Sequence, residues 1–182
     1  MLLLALQANR NMDVKLVDFD SAFQHTAVDV SIYMKFPQGM LPKPGHRLVL
    51  NNALQGTKQA AHLFNTKAAQ FLVSRGYKQC VFDPCLFTKW DEGYLTIVGI
   101  DVDDVRCLSE GPNAASNLDH LYEDLKTVGP CKIADDTNWL GRKIAQGTLK
   151  VTQQKYIDGR LKDFNMNDFK PCRTPAAPGT KL

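Results

Sequence analysis

The chain has 182 residues, of which 44% are hydrophobic and 23% charged, enough apolar material for one folded domain and too much for an intrinsically disordered chain. The formal net charge of +3 is too small to indicate a partner. Its distribution is uneven, because residues 141–182 carry nine Lys or Arg against three Asp. This basic C-terminal stretch is typical of a nucleic-acid contact or of an ordinary solvated surface, and charge alone leaves both open.

The cysteine spacing does not indicate a zinc site. The N-terminal residues indicate neither secretion nor a membrane anchor. The five cysteines are irregularly spaced, and Cys80 and Cys85 are too far apart for a zinc half-site. The apolar opening MLLLALQANR lacks a basic leader and is too short to span a bilayer, so it predicts the end of a helix that begins further upstream. We therefore expect an intracellular protein, cytoplasmic or nuclear, with reduced thiols.

The rest of the pattern predicts strands in hairpins with helices between them. In chain order, strands are expected at 14–20, 31–37, 46–51, 85–90, 94–100, 138–145 and 148–152. Helices are expected at 58–75, behind Pro112, and at about 153–164. These elements predict an α+β fold in which an antiparallel sheet carries helices on one face. Residues 1–170 are expected to form this domain, and residues 171–182 a Pro-rich tail.

Carboxylates interrupt apolar strands at two places. The segment IVGIDVDDVRC places Asp101, Asp103 and Asp104 after a buried-looking strand, and the segment LVDFDSAF does the same with Asp18 and Asp20. Clustered carboxylates repel one another unless a cation neutralises them. Mg²⁺ suits such a cluster, because it binds oxygen ligands and needs only one or two carboxylates beside water and phosphate. A solvated acidic turn is the commoner explanation of an Asp-Asp pair, and the residues alone leave both open.

Seven segments of the chain form a recognisable series. They are VKLVDFDSAF, IYMKFPQGM, ALQGTKQAAHLF, RGYKQCVFDPCLF, GIDVDDV, WLGRKI and VTQQKYI with the following FNMNDFKPCRTPAAPGTKL. In this order and spacing they resemble the reverse transcriptase of copia-type LTR retrotransposons. The resemblance runs from Leu2 to Leu182. It implies a polymerase palm fold and RNA-directed DNA polymerisation within a Gag-Pol-type polyprotein. The implied cofactor is Mg²⁺ or Mn²⁺, and the implied partners are an RNA or DNA template-primer and deoxynucleoside triphosphates.

The resemblance also implies roles for single residues. Asp18, Asp103 and Asp104 match the three catalytic aspartates, which would hold two metal ions together with the backbone carbonyl of Phe19. Phe23 matches the aromatic residue that rejects the 2′-hydroxyl of an incoming sugar. By sequence alone, core packing explains Phe23 equally well.

A second set of residues is expected to contact nucleotide, template or nucleic acid: Gln55, Gly56, Lys58, Arg142, Lys143 and Lys155. The first three match the box that lines the nucleotide and template pocket, and the last three belong to the basic C-terminal stretch. The alternatives are a helix-entry turn for Gly56 and an exposed first-turn residue for Lys58.

The chain departs from the family pattern in ways that leave its activity open. Asp101 stands where the family has Tyr, and Arg106 stands where it has an apolar residue, so the guanidinium could pair with Asp101 or Asp104 and compete with metal. The finger strands are expected to be largely missing, which would expose a sheet for a homo- or hetero-oligomer. One hypothesis is a truncated reverse transcriptase using two-metal nucleotidyl transfer. The others are an inactive or host-retained remnant that binds nucleic acid or protein, and a fragment without function.

Overall fold

The computed structural model describes residues 2–41, 44–135, 138–139, 142–145, 150–166 and 168. The chain divides into two compact units, Met1–Asp136 and Thr137–Leu182, and each is described by itself. The predicted Pro-rich tail at 171–182 and the predicted boundary at residue 170 lie outside the described residues. Across the described part, each helix is too short or too polar to traverse a bilayer.

The first unit combines helices with an antiparallel sheet. Its described helices are α1 (Leu2–Arg10), α2 (Ala60–Ser74) and α3 (Ala114–Leu125). Its described strands are β1 (Asp13–Phe19), β2 (Ala27–Met34), β3 (Leu48–Asn52), β4 (Lys78–Gln79), β5 (Leu86–Asp91), β6 (Tyr94–Asp101), β7 (Asp104–Ser109) and β8 (Cys131–Ala134). Six strands form one sheet in the order β4-β5-β6-β7-β1-β8, and β2 pairs with β3 separately. The predicted α+β fold with a palm-like antiparallel sheet is confirmed.

One face of the six-stranded sheet forms the main core. Alternate residues of the central strands, among them Val17, Phe19, Val98 and Val105, are buried against α2 and α3. The ring of Phe19 meets the ring of Phe64 edge-on, with centroids 5.1 Å apart. Burial of such side chains contributes about 1.5–3 kcal/mol each to folding, so this face anchors the strands that carry the candidate site.

Helix α1 packs on the opposite face of the sheet, so the expectation of helices on one face holds for α2 and α3 and is wrong for α1. There Leu3 and Leu6 contact a smaller buried cluster that includes Ile97 and Leu108. The approach is close at Gly99, where an added Cβ would lie 2.5 Å from Leu3 Cδ1. A residue without a side chain at position 99 therefore allows α1 to lie against β6.

The second unit contains a short antiparallel sheet followed by a helix. Its described strands are β9 (Asn138–Trp139), β10 (Arg142–Ala145) and β11 (Lys150–Thr152), in the order β11-β10-β9, and its described helix is α4 (Gln154–Asp163). Strands β10 and β11 form the predicted second hairpin, and α4 is the predicted last helix. The single strand predicted at 138–145 is wrong, because β9 and β10 are separate strands that pair antiparallel, with Trp139 opposite Arg142.

Candidate active site

Three carboxylates lie side by side across three strands of the large sheet. Asp18 of β1 is the register partner of Asp104 of β7, and Asp104 is in turn the partner of Asp101 of β6. Directly opposite residues on neighbouring strands place their side chains on the same face. We call Asp18, Asp104 and Asp101 the carboxylate row. It lies on the face opposite α2 and α3, because the adjacent residues Phe19 and Val105 point into the main core.

The third expected catalytic aspartate, Asp103, belongs to the tight turn beside this row. Val102 and Asp103 connect β6 to β7, and both are exposed. The carbonyl of Asp103 accepts a hydrogen bond of 2.9 Å from the backbone N–H of Phe19, which fastens the turn to the end of β1. Val102 has φ +58°, a left-handed conformation that is unfavourable for a β-branched residue. Strain of this kind is concentrated at functional sites in proteins.

The carboxylate row is electrostatically unfavourable as it stands. Partial burial is the largest cause that raises the pKa of Asp104, followed by the negative charges of Asp103, Asp18 and Asp101. Proximity to other carboxylates disfavours the ionised form unless a cation lies nearby. The arrangement therefore attracts positive charge to the end of β1 and the start of β7.

One protein cation already lies at the end of the row. Lys132 of β8 is the register partner of Asp18, and its Nζ lies 3.1 Å from Asp18 Oδ2 and 2.7 Å from Asp20 Oδ1. These two carboxylates raise the pKa of Lys132. Sequence reasoning missed Lys132, because no local pattern marks β8 as the neighbour of β1.

The carboxylates of the row have the chemistry of divalent-metal ligands, although their side chains do not form a complete coordination shell. Within the described ranges, no group of three or more His, Cys, Asp or Glu side chains is arranged to hold a metal ion. The opposed pair Asp18 and Asp104 nevertheless offers the carboxylate oxygens that Mg²⁺ prefers, and Mg²⁺ often takes only one or two of them.

Arg106 does not lie exposed beside the acids. It is fully buried in β7, and its guanidinium donates a hydrogen bond of 2.5 Å to Gln7 Oε1 of α1. Arg106 thus links β7 to α1 on the same face as the carboxylate row, two residues along the strand from Asp104.

Phe23 packs against the main core, on the face of the sheet opposite the carboxylate row. It is half-buried in the 3-10 turn Ala22–His25 that follows β1, and its ring meets the edge of Phe64 at 6.5 Å. Lys67 of α2 holds this turn in place, since its Nζ donates hydrogen bonds to the carbonyls of His25 (2.8 Å) and Val128 (2.6 Å). Lys67 is a second residue that the sequence pattern did not indicate.

The expected pocket residues Gln55, Gly56 and Lys58 are exposed in the loop before α2. Gly56 has φ +92°, which favours glycine, and an added Cβ there would meet nothing within 4 Å. The start of this loop is tied to the turn that carries Phe23, because the Ala53 N–H donates to the Thr26 carbonyl at 2.8 Å. The structure thus brings the loop near the Phe23 turn and leaves its side chains open to solvent.

The expected nucleic-acid contacts all belong to the second unit. Arg142 and Lys143 lie in β10, and their side chains are outside the described structure. Lys155 is exposed in the first turn of α4. The same helix exposes Arg160, which pairs with Asp163 at 2.7 Å.

Comparison with known proteins agrees with this architecture. The family model described as reverse transcriptase (RNA-dependent DNA polymerase) matches residues 1–178. The chain is 31% identical, over 99% of its length, to the retrovirus-related Pol polyprotein from transposon TNT 1-94 of Nicotiana tabacum. It is 26% identical, over 100% of its length, to the corresponding polyproteins from transposons RE1 and RE2 of Arabidopsis thaliana.

The match covers the chain but only part of these relatives. It spans 14% of the tobacco polyprotein, 12% of the RE1 polyprotein and 13% of the RE2 polyprotein. The predicted resemblance to copia-type Pol polyproteins is confirmed, and the chain belongs to the reverse transcriptase family.

Proposed function

We propose that this chain carries the polymerase centre of a retrotransposon reverse transcriptase, in which Asp18, Asp103 and Asp104 are the catalytic carboxylates. The observation that supports this most directly is the register of β1 and β7, which sets Asp18 opposite Asp104. The bond from the Phe19 N–H to the Asp103 carbonyl holds the third aspartate at the same end of the strands.

Mg²⁺, or Mn²⁺ in its place, is the proposed cofactor. Asp18, Asp103, Asp104 and the Phe19 carbonyl would hold it. When bound, the metal would promote ionisation of a primer 3′-hydroxyl and stabilise the charge on the departing pyrophosphate. The protein's own part is to keep the carboxylates in fixed positions on a rigid sheet, so that little reorganisation is needed when charge develops.

The proposed substrates are a deoxynucleoside triphosphate and an RNA or DNA template-primer. Phe23 lies on the turn directly after the strand that bears Asp18, which suits a residue that limits the space around the sugar. Gln55, Gly56 and Lys58 form an open loop tied to that turn, so a template base and the nucleotide have access to them. Arg142, Lys143 and Lys155 supply positive charge for the phosphate backbone.

The direct test is template-directed primer extension by the full chain with Mg²⁺ or Mn²⁺. We expect extension by the wild type and a loss of about a hundredfold or more in Asp103→Asn and Asp104→Asn, because removal of one group that stabilises developing charge has effects of that size. Asp13→Asn is the matched control, since Asp13 is an exposed acid at the opposite end of β1. Extension that survives in Asp104→Asn, or is absent from the wild type under every metal condition, contradicts the proposal.

A second candidate function is nucleic-acid binding without polymerisation. The contact of Lys132 with Asp18 favours it, because an ammonium occupies one oxygen of a catalytic carboxylate. This reading predicts binding of single-stranded RNA or DNA that weakens with salt and needs Arg142, Lys143 and Lys155. Binding that is independent of salt, or unchanged after all three are replaced by Gln, contradicts it.

A further inference from the structure

We infer that Lys132 is a positioning residue that competes with the divalent cation for Asp18. This inference rests on the proposed function, since it assumes that Asp18 and Asp104 hold a metal. It assigns a role to a residue that belongs to none of the family segments quoted above.

The geometry places Lys132 where it faces the carboxylate row from one side. Strand β8 lies at one edge of the described sheet, and Lys132 lies directly opposite Asp18 in the antiparallel pair of β1 and β8. The cross-strand series therefore reads Lys132, Asp18, Asp104 and Asp101 over four neighbouring strands. The ammonium lies at one end of that series and carries charge of the same sign as a metal ion.

The ammonium of Lys132 contacts Asp20 as well as Asp18. Its Nζ lies 3.1 Å from Asp18 Oδ2 and 2.7 Å from Asp20 Oδ1. Asp20 therefore provides a second partner, so Lys132 can release Asp18 and remain paired. In this arrangement the lysine compensates the charge of Asp18 in the metal-free protein, and it turns to Asp20 when a divalent cation binds.

The strength of this competition is limited by solvent. The side chain of Lys132 is 61% exposed, against 31% for Asp18 and 54% for Asp20. Exposed ion pairs are weak, because water screens the charges and the long side chain loses entropy when it is held. We therefore expect Lys132 to reduce metal affinity several-fold and not to abolish it.

The test is a Mn²⁺ titration of the full chain, in which free Mn²⁺ is followed by electron paramagnetic resonance. Lys132→Gln removes the charge and keeps a polar residue on the edge strand, and we expect it to bind Mn²⁺ roughly fivefold more tightly than the wild type. Lys132→Arg keeps the charge and should bind like the wild type. Lys126→Gln is the matched control, since Lys126 is an exposed lysine that pairs with Glu123 at 2.7 Å. Asp104→Asn in the Lys132→Gln background should remove the tight binding and thereby locate it.

A double-mutant cycle tests the role of Asp20 as the second partner. Asp20→Asn in the wild type should weaken Mn²⁺ binding, since Lys132 then pairs with Asp18 alone. The same substitution in Lys132→Gln should have a clearly smaller effect, because no ammonium is left to redirect. Equal effects of Asp20→Asn in the two backgrounds contradict the role of Asp20 as the second partner.

The outcomes separate this inference from the proposed function. If Lys132→Gln binds Mn²⁺ more tightly than the wild type, Lys126→Gln does not, and the binding depends on Asp104, the result supports both the inference and the proposed metal site. Equal binding by the wild type, Lys132→Gln and Lys126→Gln, dependent on Asp104, overturns the inference and leaves the proposed metal site standing. No Asp104-dependent Mn²⁺ binding in Lys132→Gln overturns both.

Discussion

Asp18 and Asp104 lie directly opposite each other on the antiparallel strands β1 and β7. This relationship depends on register, because a shift of one residue would move Asp18 to the core face and bring Val17 or Phe19 to the outer face. The register is held by burial on the other side, where Val17, Phe19 and Val105 are each no more than 2% exposed. Burial of these core residues therefore fixes the register that places Asp18 opposite Asp104, although neither aspartate belongs to the core.

The first prediction concerns the repulsion within the carboxylate row. Asp104→Asn should stabilise the metal-free protein at pH 7 by roughly 0.5 kcal/mol, because like charges directly opposite on a sheet are destabilising. The folded state raises the pKa of Asp104 above 3.8, so it binds the proton more tightly than the unfolded chain. The wild type therefore loses stability as the pH rises from about 3.8 through the raised pKa, and the gain from Asn vanishes at lower pH.

Urea unfolding of the wild type and Asp104→Asn at pH 7 and near pH 3.5 measures this effect. Asp13→Asn is the matched control, because Asp13 lies at the other end of β1. Equal stability of the wild type and Asp104→Asn at pH 7 would contradict the prediction.

The second prediction concerns the response of stability to metal. Millimolar Mg²⁺ or Mn²⁺ should raise the melting temperature of the wild type by a few degrees, because a ligand that binds the folded state stabilises it by mass action. Asp104→Asn should show no such rise. Thermal unfolding with and without metal makes the comparison, and Ca²⁺ at the same ionic strength tests whether ion size matters. An equal rise in both proteins would locate metal binding elsewhere.

The third prediction concerns the strained turn of the site. Val102 has φ +58° and is 46% exposed, so it is strained and has little packing to lose. Val102→Asn should stabilise the fold by about 1 kcal/mol, because Asn tolerates the left-handed conformation better than a β-branched residue. Glu92→Asn is the control, since Glu92 has φ +48° in another hairpin turn but is not β-branched, and its gain should be smaller. Destabilisation by Val102→Asn would mean that the turn is not under strain.

The fourth prediction concerns the support of the Phe23 turn. Lys67→Met should destabilise the protein by about 1.5–3 kcal/mol, because it removes charged hydrogen bonds to the carbonyls of His25 and Val128. Amide hydrogen exchange should quicken in the turn Ala22–His25 more than in β6. Lys58→Met is the control, since Lys58 is exposed in the loop before α2. Similar losses in the two variants would show that Lys67 does not hold the turn.

Much of the secondary structure was predictable from local pattern. The helix at 60–74 and the hairpin of β5 and β6 lie within a few residues of the predicted bounds. The strand predicted at 138–145 is instead divided into β9 and β10. Strands β7 and β8 were harder to predict. Residues 105–109 of β7 are buried throughout and so lack the alternation of a half-exposed strand, and β8 has only four residues.

The sequence by itself determined the family and the residue types of the site. These depend on short segments, in which strand alternation, turn residues and acidic positions are visible along the chain. Only the tertiary structure decided that Asp18 pairs with Asp104, that Arg106 is buried against α1, and that Lys132 reaches Asp18. Lys132 and Asp20 are 112 positions apart, and strand order brings them together. The strand order is set by burial on both faces of the sheet at once. This burial involves residues that are far apart in the chain, so no short segment of sequence reveals it.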